Sequence, residues 1–416
     1  MRVDDPAGKV VFGGGGDNTP QKSRRWWTAA LLLWLLPGLA ACGIDSAPGV
    51  TVTDSAGIRT TVSQDVERVF AALDSLPTLS LGGPEASGPA QFFRVQGIHV
   101  DAAGRLWVAD GQSGELRIFQ SDGSHWKTRG GVGEGPGEFL QIRLLGASGA
   151  DTVSVGDSRV DRITVFSPDG EFVRTESVPS SHRPAPRPIR VFSDGSVLGQ
   201  LPRIVPAASL EPGQILADSV ELVRVRLDSL AIEPYGSATG PLWLWTGRSQ
   251  VPIPFTANAS FDVLGDEVHL VSGAEFRVRV LESGELREVY GVDRAIRPVT
   301  RSDIVSYQDL VREYVPEQAR TDYLSALDPE LLPAVVPGYD RVLVSLDGHV
   351  WAQVYESDAA AAHDWDVFDE GAFVGRVHVW SGFHPMTVTQ HGLVGVWRDA
   401  LGVEHVRAYG FSRRLN

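Results

Sequence analysis

Cysteine and lysine are nearly absent from the sequence, which contains one Cys and, at positions 9, 22 and 127, three Lys. A single cysteine cannot form an intramolecular disulfide, and it excludes zinc or iron–sulfur sites that need several thiolates. Basic residues are also fewer than acidic ones: the sequence has 37 Lys and Arg and 52 Asp and Glu, which gives a net charge of −15. That balance excludes the basic footprint of a nucleic-acid-binding protein, so we expect no nucleic-acid partner.

Apolar residues are plentiful by contrast. Hydrophobic side chains make up 43% of the 416 residues and charged ones 21%, a balance that supports a sizeable core and excludes global disorder. The length allows two or three average domains, but closed all-β folds often form one larger domain. The composition predicts a globular, acidic, β-rich protein.

The single cysteine ends an apolar N-terminal segment. Basic residues within 22–25 precede an uncharged run over 26–41, and the sequence Leu-Ala-Ala-Cys occupies 39–42. A basic start, a short apolar run and small residues at its end predict a signal peptide. Leu-Ala-Ala-Cys resembles the lipobox of bacterial lipoproteins, which implies cleavage before Cys42 and its acylation. An uncleaved helical anchor, or a signal peptide with a coincidental cysteine, is the alternative.

Three segments follow from this interpretation. We predict a leader and lipoprotein signal peptide over 1–41, a tether and N-terminal segment over 42–70, and the folded domain over 71–416. Several acyl chains, each stabilised by about 0.8 kcal/mol per buried CH₂, would hold Cys42 in a membrane permanently. The expected partner is therefore the lipid bilayer, and the expected location is the cell envelope, on its periplasmic or outer-membrane face.

A repeat of 47 residues occurs in the folded part. The matching pairs are Phe92 and Phe139, Asp110 and Asp157, Phe119 and Phe166, and Gly123 and Gly170. Each unit alternates short apolar strands with Asp-Gly or Ala-Gly turns that suit hairpins. Four strands in about 40 to 50 residues is the period of a β-propeller blade.

The repeat predicts an all-β fold, a six-bladed β-propeller. Further blades can be traced, with insertions, over 191–227, 261–290, 341–379 and 386–411. The last of them lacks its outermost strand, and residues 78–81 can supply it and close the ring. Apolar residues at helical spacing over 304–327, with Ser302 as N-cap, predict a small helical insertion between blades four and five. It is either a packed cap or a mobile lid over the channel.

Two motifs carry a family resemblance. Gly-Val-Gly-Glu-Gly-Pro-Gly-Glu-Phe at 131–139 and Gly-Arg-Leu-Trp-Val-Ala-Asp at 104–110 resemble bacterial six-bladed β-propeller lipoproteins related to NHL repeats. The helical insertion and the stretch 396–406 are also similar to that family, and the resemblance covers residues 70 to 412. It implies a propeller in the cell envelope, and it implies no established reaction.

Long insertions are predicted on one face of the propeller. They occupy 200–220, 237–258, 293–338 and 356–363, in connections between second and third strands or between blades. Those two kinds of connection share one face, here called the insertion face, whereas the hairpins on the opposite, tight-turn face are short. Elaborated loops usually carry function, so we predict the ligand site on the insertion face.

Five residues are candidates for this binding face: Asp110, Asp157, Trp243, Trp245 and Trp365. The two aspartates end the second strand of their repeats, where they either cap the next turn or bind a ligand or metal. The tryptophans suit contact with a sugar, a peptide or a protein, or they pack the insertions onto the propeller.

The sequence shows no catalytic constellation, and we assign no catalytic or metal-binding residue. After residue 41 the only Asn are Asn258 and Asn416, so the ligands of a calcium lactonase of the gluconolactonase type cannot be mapped. No Gly-x-Ser-x-Gly motif occurs. We expect a monomeric, rigid scaffold that binds a ligand or a protein without a cofactor. A metal-assisted hydrolase or lactonase using Ca or Zn at the channel mouth is the alternative, so enzymatic activity is left open.

Overall fold

The computed structural model describes residues 49–65, 67–148, 152–178, 185–203, 205–358 and 361–414. These residues belong to the compact unit Asp45–Asn416. The predicted signal peptide and the lipobox with Cys42 lie outside the described residues. The described chain is mostly β, with two α-helices, and its strands form six sheets.

The first three sheets each begin with a strand that lines the centre of the fold. Sheet 1 contains β5 (Val95–Val100), β6 (Leu106–Asp110), β7 (Glu115–Phe119) and β8 (His125–Gly130). Sheet 2 contains β9 (Ile142–Ala147), β10 (Val153–Asp157), β11 (Arg162–Phe166) and β12 (Phe172–Ser177). Sheet 3 contains β13 (Arg187–Val191), β14 (Val197–Leu201), β15 (Ile215–Arg226), β16 (Ala231–Trp245) and β17 (Gln250–Pro252).

The other three sheets include the N-terminal strands. Sheet 4 contains β18 (Ser260–Leu264), β19 (Glu267–Val271), β20 (Arg277–Glu282) and β21 (Glu285–Asp293), extended by β2 (Ile58–Gln64) and β1 (Val50–Ser55). Sheet 5 contains β22 (Tyr339–Val344), β23 (Val350–Val354), β24 (His363–Asp369) and β25 (Ala372–Val379). Sheet 6 contains β26 (Phe383–Thr389), β27 (Gly392–Arg398) and β28 (Glu404–Arg414), with β3 (Ala71–Leu73) and β4 (Leu79–Gly82).

The six sheets contact each other in a cycle. Each first strand contacts the first strand of the next sheet, from β5 through β9, β13, β18 and β22 to β26, which contacts β5 again. A separate hydrophobic cluster fills each of the six spaces between neighbouring sheets. Alternating strands with two apolar faces explain this packing. The arrangement is consistent with a β-propeller.

Tight turns bring neighbouring sheets together, and the repeated glycines are needed there. Gly123 and Gly170 lie at turns with φ of 85° and 72°, a conformation that favours glycine. A Cβ on Gly170 would lie 2.7 Å from Cδ1 of Ile118 in the preceding sheet. The 47-residue repeat therefore marks both a turn and a close contact between sheets.

The N-terminal strands complete two sheets. The pairing predicted for residues 78–81 is observed, because β4 pairs antiparallel with β28 from Leu79–Ala408 to Gly82–His405. Part of the segment 42–70, predicted as a tether and N-terminal segment, forms strands. Strands β1 and β2 form a hairpin, and β2 pairs parallel with β21 of sheet 4, so these residues add to the folded domain.

The insertions predicted over 200–220 and 237–258 include the outer part of one long hairpin. Strands β15 and β16 are 12 and 15 residues long and remain paired as far as Ile215 and Leu244. The outer halves of these strands, together with β17, form an extension of sheet 3 that we call the arm. Extending a hairpin keeps the backbone hydrogen bonds of an insertion satisfied, which an irregular loop of that length does not.

Two helices lie between sheets 4 and 5 in the chain. Helix α1 (Arg301–Tyr314) starts after Thr300 and not at the predicted Ser302, because Thr300 and Asp303 form a capping box. Helix α2 (Glu317–Ser325) packs on β17 of the arm. The carboxylate of Asp322 accepts hydrogen bonds from Arg248 (2.6 Å) and Ser249 (2.9 Å) at this contact. Neither helix in the described ranges has the length and apolarity to cross a membrane.

Candidate functional site: an arginine-lined channel

The predicted site residues Asp110 and Asp157 have no exposed surface. Each carboxylate accepts three backbone hydrogen bonds, from the N–H groups of Phe93, Gln112 and Ser113 for Asp110 and of Leu140, Gln141 and Arg159 for Asp157. These bonds join the connection between sheets to the loop after the second strand. These hydrogen bonds favour the turn-capping alternative for both residues, and that role explains why they repeat.

The three tryptophans predicted for the binding face differ in their burial. Trp365 lies in β24, is 1% exposed, and belongs to the cluster between sheets 5 and 6, so it offers no surface to a ligand. Trp243 and Trp245 lie in the arm on β16, and both are half-buried. Of the five candidates, only these two lie where a ligand could reach them.

A channel cavity of about 860 Å³ runs between the first strands of all six sheets. Its lining includes the turns at 101–104, 346–347 and 390–391, which connect first to second strands. None of its lining residues comes from the four predicted insertions. The cavity therefore reaches the tight-turn face, whereas the sequence predicted the ligand site on the insertion face.

Arginines recur at one register position of the first strands, which we call the arginine level. Arg143 lies opposite Gly156, Arg187 opposite Gln200, and Arg341 opposite Gln353 in the strand pairings. In each case the facing residue is the penultimate one of the second strand, so the three arginines hold equivalent positions in sheets 2, 3 and 5. Arg143 and Arg341 line the channel cavity, as does Arg190 further along β13, whereas Arg187 lies outside its lining.

The cavity lining also includes Asp101, Asp262 and Asp347, but none of them forms an ion pair with Arg143 or Arg341. Asp262 of β18 accepts a hydrogen bond from Nε of Arg190 at 2.7 Å through Oδ1 and one from the backbone N–H of Val344 at 2.8 Å through Oδ2. Among the described residues, neither the guanidinium of Arg143 nor that of Arg341 has an ion pair or a side-chain hydrogen bond. Arg143 and Arg341 are therefore cations of the channel without a direct ion-pair partner in the described residues.

The protein around the arginines disfavours their charge. Burial, and then the neighbouring Arg190, lower the pKa of Arg341 to about 10, although Asp262 and Asp340 oppose this. Burial, with Arg190 and Arg187, also lowers the pKa of Arg143. Solvent reaches the side chain of Arg143 inside the channel, although the protein around it disfavours its charge. Both groups remain cationic at neutral pH.

Two histidines lie beside this arginine level. The rings of His363 (β24) and His384 (β26) are 6.4 Å apart and nearly parallel, at 23°. Burial, followed by the charges of Arg398, His363 and Arg341, lowers the pKa of His384 to about 4, so this ring is neutral at pH 7. Nε2 of His363 is buried without a hydrogen-bond partner in the described chain. The pair adds neutral, polar groups without adding negative charge.

The arginine level was missed in the sequence, although a signal for it exists. Arg143 and Arg187 each precede the first residue of the following second strand, Val153 or Val197, by ten positions. A search of the sequence for repeated His, Asp and Glu does not detect these arginines. Repeated arginines on a strand that faces the channel would have identified the level.

The geometry is suited to binding an anion. A guanidinium group donates to carboxylate or phosphate oxygens in a bidentate way, and a partly enclosed channel strengthens the attraction relative to bulk water. Within the described residues, no group of three or more His, Cys, Asp or Glu side chains is placed to hold a metal ion.

Comparison with known proteins gives remote structural similarity only. No protein-family model matches the sequence, and no curated protein matches it. The structure is similar to a member of the DUF4221 family from Bacteroides vulgatus, with a TM-score of 0.49 and 9% identity over 83% of this chain and 100% of that one. It is also similar to virginiamycin B lyase from Staphylococcus aureus, with a TM-score of 0.40 and 10% identity over 80% and 98% of the two chains.

Proposed function

We propose that the protein is an exported, lipid-anchored six-bladed β-propeller whose central channel binds a small anionic molecule. The six sheets and their cyclic contacts support six blades, and the pairing of β4 with β28 supports closure of the ring in the sixth. The helices α1 and α2 would then form an insertion between blades four and five. The lipobox-like sequence at 39–42 supports anchoring through Cys42.

One observation carries the binding function: arginines without ion-pair partners line a cavity in an otherwise acidic protein. The surrounding protein disfavours the charge of Arg143 and Arg341, so unpaired arginines kept in such a place are expected to have a partner that the protein itself does not supply. The cavity of about 860 Å³ lies within the usual size range of small-molecule sites. Carboxylates and phosphates are the ligand groups that fit these donors.

The test is isothermal titration of the Cys42→Ser full chain with citrate and with pyrophosphate. Arg143→Gln and Arg341→Gln should each weaken binding by about 10-fold or more, because each removes a charge-assisted contact. The control is Arg301→Gln, an exposed residue at the start of α1. Binding that is absent, or that is equal in all three variants, would contradict the proposal.

Anchoring has its own test. Wild-type protein expressed in its host should fractionate with membranes, and Cys42→Ser should move to the soluble fraction, because acylation requires the thiol. If Cys42→Ser still sediments with membranes, the lipobox interpretation is wrong. Channel binding can be measured on either protein, so it does not depend on this result.

A further inference from the structure

A second cavity, of about 370 Å³, lies beside the arm. It shares no lining residue with the channel cavity. Its walls come from sheet 3 and its arm, and from residues 258–261, which lead into sheet 4. We call this cavity the arm cleft. The sequence placed Trp243 on the insertion face, and the structure places it in this cleft.

Trp243 is available to a ligand in the arm cleft. It lies on β16, opposite Leu216 of β15 and Pro252 of β17, and it is half-buried. Its indole N–H is not buried, it has no hydrogen-bond partner among the described residues, and no aromatic ring of those residues stacks on it. A half-buried indole of this kind offers a flat apolar surface and one free donor.

Uncharged polar groups converge on the same cleft. Gln200 of β14, Gln250 of β17 and Asn258 all line it, and their side-chain amides make no hydrogen bond within the described chain. Asn258 is the only asparagine in those residues. Each amide supplies two donors and an acceptor, so three of them form an adaptable set of hydrogen-bonding groups.

Two arginines and one aspartate line the arm cleft. Arg187 and Asp218 line it without ion pairs in the described residues, and Arg203 donates to the carbonyl oxygen of Ala217. A ligand bound in the arm cleft therefore meets cationic donors and an anionic acceptor. That pattern suits a ligand whose many polar groups are neutral and can both donate and accept.

We infer that the arm cleft binds a pyranose sugar, with its ring against Trp243 and its hydroxyl groups on the amides of Gln200, Gln250 and Asn258. A sugar ring combines an apolar C–H face with hydroxyls that donate and accept, and this matches an aromatic surface surrounded by amides. The cleft volume is near the lower end of the range for small-molecule sites, which fits one or two rings. This inference is independent of anion binding in the channel.

The experiment is saturation-transfer NMR on the Cys42→Ser full chain with methyl glycosides of glucose, galactose and mannose. At least one glycoside should receive saturation from the protein, and Trp243→Ala and Asn258→Ala should each reduce that signal at least five-fold. The matched control is Trp245→Ala, two residues along the same strand, half-buried and outside the cleft lining. Trp245→Ala should retain the signal.

Two results would overturn the inference. One is the absence of saturation transfer to all three glycosides; the other is an equal signal in Trp243→Ala and Trp245→Ala. Melting temperatures of the variants identify any that fail to fold, and Asn258→Ala, an exposed substitution, then supplies the decisive comparison. Excess citrate should not displace the glycoside, so failure of sugar binding and failure of anion binding are separate outcomes.

Discussion

The buried aspartates of sheets 1 and 2 and the arginine level of the channel are both repeated charged residues, but the fold treats them in opposite ways. Asp110 and Asp157 each accept three backbone hydrogen bonds. Arg143 and Arg341 have no such partners among the described residues, and burial lowers the pKa of both. Repetition of a charged residue therefore does not identify a binding site. What distinguishes the channel is that its repeated charges remain unpartnered.

The largest expected effect on stability comes from replacing one of the buried aspartates. Asp157→Ala removes a fully buried carboxylate that accepts hydrogen bonds from three backbone N–H groups, so we expect a loss of about 3 kcal/mol or more in the free energy of unfolding. Asp157→Asn, which keeps an acceptor oxygen, should cost less. Urea denaturation measures both. A loss below about 1 kcal/mol for Asp157→Ala would show that Asp157 is not structural.

A smaller effect should come from acidification beside the arginines. His384 has a pKa of about 4, below its ordinary 6.5, so the fold favours the neutral ring. Its contribution to stability is complete above pH 6.5 and is lost as the pH falls from about 6.5 to about 4. Because the ring is partly solvated, we expect a loss of only about 1 kcal/mol between pH 7 and pH 5.

The check is urea denaturation at these two pH values for wild type and His384→Gln. Other groups titrate in the same range, so the quantity of interest is the difference between the two proteins. The variant should lose less stability on acidification than the wild type. An equal loss in both would mean that protonation of His384 does not oppose folding.

Asp262→Asn should alter binding more than stability. The variant keeps an acceptor for the N–H of Val344 and removes the negative charge paired with Arg190. We expect a loss of about 1 kcal/mol or less in stability, because the pair is partly exposed. Citrate affinity should rise, since a competing carboxylate is gone. Titration calorimetry measures this, and a fall in affinity would place Asp262 among the ligand-binding groups.

The smallest effect on stability is expected for Arg341→Gln. Burial disfavours the charged form of Arg341, so a neutral side chain of similar length should leave the melting temperature unchanged or slightly higher. Thermal denaturation tests this. A large decrease would show that Arg341 supports the fold, which would weaken its assignment to ligand binding.

Much of the fold could be predicted from the sequence, because strand alternation and turn chemistry repeat locally. The pairing of residues 78–81 with the last strand followed from a missing strand in the last repeat. The hairpin β1–β2 was missed because its partner β21 lies more than 200 positions away. The arm was missed because a long polar hairpin has the composition of a loop.

The binding face could not be deduced in the same way. Asp110, Asp157 and Trp365 were selected for their residue type, and their burial depends on contacts between sheets that composition does not encode. The arginine level depends on the register of three separate strand pairs. Of the five candidates, only Trp243 lines a cavity, and that cavity is the arm cleft.

The central claim is that the arginines of the channel hold an anion, and a crystal soaked in sodium bromide tests it most directly. Bromide is located without ambiguity from its anomalous scattering. The account predicts an ordered bromide in contact with the guanidinium groups of Arg143 and Arg341, which is absent in crystals of the Arg341→Gln variant. Bromide bound only on the outer surface, with the channel empty of it, would contradict the account.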